Sequence, residues 1–327
     1  MQDVARAPAR VGAPPLARTS REMTRHSGKN PGMVTGLLLL ERLSDADLAL
    51  LAGFGGAPGP PEERAARLRR DPAGIGPLLA RPDIFRALFQ SGGEDPLVLV
   101  SPFAAFAVLV AQTSQTLQAA TFVSERVGRH RTVPVFEVAP LRRFLDDPLR
   151  RLFLADLLAS YSHVASGAFW MKGRRGWRHR RFSELDPVQL AELAAVVTPD
   201  DRVAVYRRLG DLSLFLCGVF PDYVESHPLP PIAVERLRRA LAGTEVAGTG
   251  GERGALDAGP GTQPLLEAVG RRSYRLAWAA TPYHDLGLAP ALGYVAEHYR
   301  HARMILSFLT ESYLRGMRGR WFPLGEG

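Results

Sequence analysis

At Ser101, Asp147, Asp186 and Thr198 a serine, threonine or aspartate stands directly before a proline and the start of a largely apolar run. A side-chain oxygen at that position accepts from the first free N–H groups of a helix. A proline at the next position presets φ and loses no hydrogen bond. Each pair therefore opens a helix, and together they commit much of residues 101 to 220 to helical structure. Pro102 begins a long helix to about residue 121 with Phe103, Phe106, Leu109, Val110 and Leu117 at inward spacing, expected to be the central helix. The helix from Pro148 carries Leu149, Leu152, Phe153, Leu157, Leu158 and Tyr161. The helix from Pro199 carries Val203, Tyr206, Leu209, Leu212, Phe215, Leu216 and Val219 and closes at Phe220 and Pro221.

Weaker signals of the same kind extend the pattern. Ser44 with Asp47 forms a near-capping box before Leu48, Leu50, Leu51 and Phe54, and Pro61 and Pro82 open two further helices. Helices are also expected from about Gln263 to Ala279 and from about Ala289 to Arg318. Gly210, inside a helix, costs about 1 kcal/mol against alanine. It therefore marks the close approach of another helix, with Gly270 as a candidate counterpart. A short extended stretch is expected around Val133 to Val138.

One segment breaks the helical pattern. Residues 167–182 read GAFWMKGRRGWRHRRF, two aromatic runs separated by Gly173 to Gly176, which is the signature of a β-hairpin. The expected fold is thus mainly α: a multi-helix bundle with one inserted β-hairpin. Residues 1–32, with four prolines and no apolar periodicity, form a disordered basic tail; residues 33–327 form a single helical domain with a flexible linker at about 243–262. Met1 and Met23 are both candidate starts.

The net charge of +8 is local. Residues 1–29 carry +4 and residues 172–181 carry +6 with no acid among them, which leaves −2 for the rest of the chain. The hairpin therefore concentrates cations and aromatic rings: Trp170, Lys172, Arg174, Arg175, Trp177, Arg178, Arg180 and Arg181. Such a set suits a phosphate backbone with bases stacked on the rings, or an acidic protein surface or lipid headgroup. An exposed ribbon with solvated charges is the plainer alternative.

Other chemistry is weakly supported. A single cysteine, Cys217, sits in an apolar run, so no intrachain disulfide forms and a reducing, cytoplasmic setting is expected. No secretory leader is visible, and the apolar stretch Pro96 to Ala111 is too short and too interrupted to span a membrane, so it is assigned to the core. The glycines Gly248, Gly250, Gly251 and Gly254 follow no strand and precede no Lys-Ser/Thr pair; Gly28 and Lys29 fail the same test. His284 and Asp285 lack the downstream aspartate of a metal-dependent phosphohydrolase. Glu297, His298 and His301 lack the facing carboxylates of a di-iron site. The pairs Asp146–Asp147 and Asp200–Asp201 are explained by helix starts. No catalytic, cofactor or metal site is assigned.

A second candidate site lies between the helices bearing Gly210 and Gly270, a small-molecule pocket lined by Tyr206, Asp211, Arg271 and Tyr274. An Asp211 to Arg271 ion pair is the simpler alternative. The run Tyr206 to Asp211, then Phe215, Gly218, Phe220, Pro221 and Asp222, with Gly270, Arg271, Arg272 and Tyr274, resembles a family of uncharacterised bacterial helical proteins over about a quarter of the chain. That resemblance implies a helical fold and no particular activity. The functional expectation is a cytosolic binding or regulatory protein, with the basic hairpin as contact surface. A small-molecule sensor or enzyme and an oligomeric scaffold are the alternatives.

Overall fold

A computed structural model describes residues 31–54, 59–90, 95–126, 131–162, 166–173, 176–183, 185–242, 261–281 and 287–322. The helices in chain order are α1 (Pro31–Leu40), α2 (Asp45–Phe54), α3 (Pro61–Arg70), α4 (Ile75–Leu79), α5 (Pro82–Phe89), α6 (Pro96–Leu99) and α7 (Pro102–Ala119). They continue with α8 (Ala139–Asp146), α9 (Pro148–Tyr161), α10 (Pro187–Val196), α11 (Pro199–Val219), α12 (Pro221–Ser226) and α13 (Pro231–Ala242). The last are α14 (Thr262–Ala279), α15 (Ala289–Glu297), α16 (Tyr299–Leu309) and α17 (Arg318–Trp321). Between α7 and α8 lie β1 (Val123–Arg126) and β2 (Thr132–Val135). Between α9 and α10 lie β3 (Ser166–Gly173) and β4 (Gly176–Ser183). The mainly α fold with the inserted hairpin is as expected; the short β1–β2 ladder is an addition to it.

The four cap-and-proline junctions form as the residues dictate. Ser101 Oγ accepts from Ala104 N at 3.2 Å, Asp147 from Leu149 N at 2.8 Å, Asp186 from Val188 N at 2.9 Å and Thr198 Oγ1 from Asp201 N at 3.4 Å. Ser44 and Asp47 close a reciprocal box, with Ser44 N donating to Asp47 Oδ2 at 2.8 Å and Asp47 N to Ser44 Oγ at 3.1 Å. The other oxygen of Asp47 accepts from Ser101 N at 2.7 Å. One fully buried carboxylate thereby ties the start of α2 to the start of α7.

The centre of the core is shared. From Phe103 to Ala111 every residue of α7 is buried, and from Leu209 to Val219 every residue of α11 is buried, so α7 is not alone at the centre. Helix α14 packs along α11, and α9 along α7. Near the end of the described chain, Trp321 meets Phe106 edge-on at 5.4 Å and Phe322 stacks on Phe106 at 5.4 Å while meeting Phe215 at 5.1 Å. Phe322 thereby joins α7 to α11.

Several boundaries differ from the sequence reading. Helix α1 begins at Pro31, so residues 31 and 32 are helical rather than tail; residues 1–30, and residues 243–260 of the expected linker, lie outside the described residues. The expected single helix from Ala289 to Arg318 is broken at His298 (φ −110°, ψ 34°) and passes through a π-turn at Thr310–Leu314. Pro96 is buried and Leu97 packs against the core, but Val98 and Leu99 are exposed, so the apolar stretch leaves the core for two residues before Val100. Asp146 ends α8 rather than opening α9. No helix among the described residues is long and apolar enough to cross a membrane.

Candidate functional site

The basic segment is a paired ribbon. Strands β3 and β4 run antiparallel with Trp170 opposite His179, Met171 opposite Arg178, Lys172 opposite Trp177 and Gly173 opposite Gly176. Cations and aromatic residues are interleaved along the two paired strands in sequence, and helix α10 lies beside β4. Arg174 and Arg175, between the two strands in sequence, lie outside the described residues.

Many arginines of the helical body have carboxylate partners. Arg42 and Arg207 share Asp156 at 2.8 and 2.7 Å, Arg236 meets Glu192 at 2.6 Å, and Arg320 meets Asp95 at 2.9 Å. Arg303, almost fully buried, pairs with Glu125 and, at 2.9 Å, with Glu267; Arg300 also reaches Glu125, at 2.7 Å. Burial alone would raise the Glu125 pKa, but hydrogen bonds from Arg300 and Arg303 outweigh it and hold the group below the usual carboxylate range. The ribbon differs from this body in sequence, because residues 166–183 contain no acid to neutralise its cations.

The residues assigned to an interhelical pocket come together only in part. Tyr274 donates to Asp211 Oδ1 at 2.8 Å, and Arg207 Nε lies 3.6 Å from Asp211 Oδ2. Asp211 thus pairs with Tyr274 and Arg207, not with Arg271. Burial raises the Asp211 pKa against the opposing pull of Arg207 and Tyr274, and burial with the neighbouring Asp211 raises that of Tyr274 well above its usual value. A phenol held protonated against a buried acid is a structural pair, with neither group positioned as a nucleophile. The space beside the two glycines is also filled. A Cβ at Gly210 would sit 2.5 Å from the Tyr274 ring, and one at Gly270 would collide with the Tyr299 hydroxyl. The close approach inferred from Gly210 is real, but its counterpart is Tyr274, while Gly270 receives Tyr299 from α16.

The remaining candidates fall in known places. Cys217 is fully buried, and burial raises its thiol pKa above the ordinary range. His298 stacks on Tyr294 at 4.0 Å and its Nδ1 lies 3.1 Å from the Tyr294 carbonyl. Among the described residues no group of three or more His, Cys, Asp or Glu side chains is arranged to hold a metal ion. His284, Asp285, Gly28, Lys29 and the glycines from Gly248 to Gly254 lie outside the described residues.

One feature escaped the sequence reading. A cavity of about 190 Å³ opens between α1, α4, α7 and α9, with Arg151 on its wall. Its lining includes Ala107 and Ala111, one turn apart on α7, where five of the residues are alanine and none stands out in sequence. No protein-family model, no curated protein and no solved structure matches this chain.

Proposed function

We propose that this protein is a helical binding protein that engages single-stranded nucleic acid through its Arg-rich ribbon. The observation that carries the reading is a paired two-stranded ladder within a segment whose residues 172–181 hold six cations and no acid, four of the cations falling on the paired strands, with aromatic residues between them in sequence. Cations spaced along an extended ladder contact successive phosphates and release condensed counterions, while aromatic faces stack on bases without selecting among them. A neutralising partner for the ribbon is absent from its own sequence, whereas carboxylates balance much of the arginine in the body.

Fluorescence anisotropy with a labelled oligonucleotide of about 15 nucleotides tests it. Reversing charge at Arg174, Arg175 and Arg178 to glutamate weakens binding by at least about 100-fold, since three contacts are lost and three repulsions gained. Replacing Trp170 or Trp177 by alanine costs about 1–3 kcal/mol for each stacked base. Wild-type affinity in the charge-reversed variant refutes the reading. Tighter binding to polyglutamate than to the oligonucleotide would assign the ribbon to an acidic protein instead.

A further inference from the structure

We propose that the cavity between α1, α4, α7 and α9 is a binding site for a small monocarboxylate, its apolar body among the helices and its carboxylate on Arg151. This inference is independent of the ribbon. The space exists because small residues line it: Ala107 and Ala111 on α7, Ala155 on α9, and Gly76 on α4. A Cβ built on Gly76 would meet its first neighbour, Leu39 Cδ1, only at 4.0 Å. Leu79 and Leu152 add to the apolar wall, and Thr35 and Ser114 also line the space. Gln115 steadies the rim by donating its amide to the Ala80 carbonyl.

Among the described residues Arg151 is the only charged one on this wall. Its place in the first turn of α9 opposes the helix dipole, so helix stability does not account for it. Nη1 donates to the Leu145 carbonyl at 2.6 Å, and among the described residues no carboxylate lies within 4 Å of the guanidinium. The nearest acid in sequence is otherwise engaged: Asp147 caps Leu149 N at 2.8 Å and lies 3.5 Å from Arg150 Nε. Burial lowers the Arg151 pKa, and the more distant Asp147 and Asp146 offset this only in part. Because arginine does not give up its proton in proteins, an under-compensated guanidinium favours an arriving anion.

Size and charge narrow the ligand. An apolar cavity of about 150 Å³ takes up benzene, so about 190 Å³ suits a body of roughly six carbons plus a carboxylate. One planar guanidinium fork matches one carboxylate, whereas a phosphate dianion beside apolar walls would leave charge and acceptors unmet.

Calorimetric titration of the full chain with hexanoate, hexan-1-ol, acetate and inorganic phosphate tests the assignment. Hexanoate is expected to bind saturably with Kd of about 1 mM or below. Hexan-1-ol is expected to bind at least about tenfold more weakly, and acetate and phosphate not at all. Arg151→Met should remove the preference for hexanoate over hexan-1-ol, and Ala111→Leu should abolish both by filling the space. Should Arg151→Met fail to fold, the wild-type preference and the Ala111→Leu result still decide. The proposal is overturned by equal binding of acid and alcohol, by phosphate competing equally, by hexanoate binding that survives Ala111→Leu, or by no saturable binding up to about 10 mM.

Discussion

Replacing Gly210 by alanine sets two effects of opposite sign against each other. On propensity alone the change in a helix interior should stabilise the protein by about 1 kcal/mol. The new methyl, however, would sit 2.5 Å from two atoms of the Tyr274 ring, and that ring has nowhere to go. It is fully buried, its hydroxyl donates to Asp211 at 2.8 Å, Phe153 packs edge-on at 5.7 Å and Tyr299 lies at 6.0 Å. Overpacking a tight core costs about 1–3 kcal/mol, and a ring displaced enough to lose Asp211 adds about 1–3 kcal/mol for the unpaired buried acid. Gly210→Ala is therefore expected to destabilise by about 1–5 kcal/mol net in urea unfolding. Gly53, near the end of α2, is the matched control: a Cβ there meets nothing within 4 Å, so Gly53→Ala should stabilise by up to about 1 kcal/mol. If Gly210→Ala proves as stable as the wild type, the packing of α14 against α11 is wrong.

Glu125→Gln leaves Arg303 with Glu267 alone, so it should cost somewhat less than the about 3–5 kcal/mol of a wholly broken buried pair. Glu125 has a folded pKa below its unfolded 4.5, so its contribution is complete above that value and is lost as pH falls through the folded pKa. The gap between variant and wild type in urea unfolding should accordingly be full near about pH 7 and narrow below about pH 4. Asp47→Ala removes acceptors from two helix starts, so it should cost about 2 kcal/mol or more, against about 1 kcal/mol for Asp186→Ala, in thermal unfolding. Tyr274→Phe keeps the ring but leaves Asp211 Oδ1 without its donor, and should cost about 1–3 kcal/mol in the same assay.

What could be read from the residues was local. A cap followed by proline declares a helix start within a few residues of chain, and alternation around Gly173 to Gly176 declares a ribbon, so both were visible without tertiary information. Gly210 showed that something approaches closely, but its partner, a tyrosine four residues beyond Gly270, depends on the relative placement of α11 and α14 and has no local mark. The break at His298 was hidden for a related reason. Neither proline nor glycine interrupts residues 294–302, so no local mark announces the change from α15 to α16. The cavity was invisible because empty space arises where four helices fail to fill a volume jointly, and alanines on any one helix look like ordinary helix formers. Asp47 was recognised as a cap for its own helix, while its bond to Ser101, 54 residues away, belongs to tertiary structure.

The salt dependence of oligonucleotide binding tests the central claim, that the ribbon holds the protein's phosphate-binding charge, most directly. Six phosphate contacts predict a slope of log K against log salt of about −4 to −5 for the full chain, shrinking by about half or more when Arg174, Arg175 and Arg178 are replaced by glutamine. An unchanged slope in that variant would place the binding charge elsewhere and contradict the account.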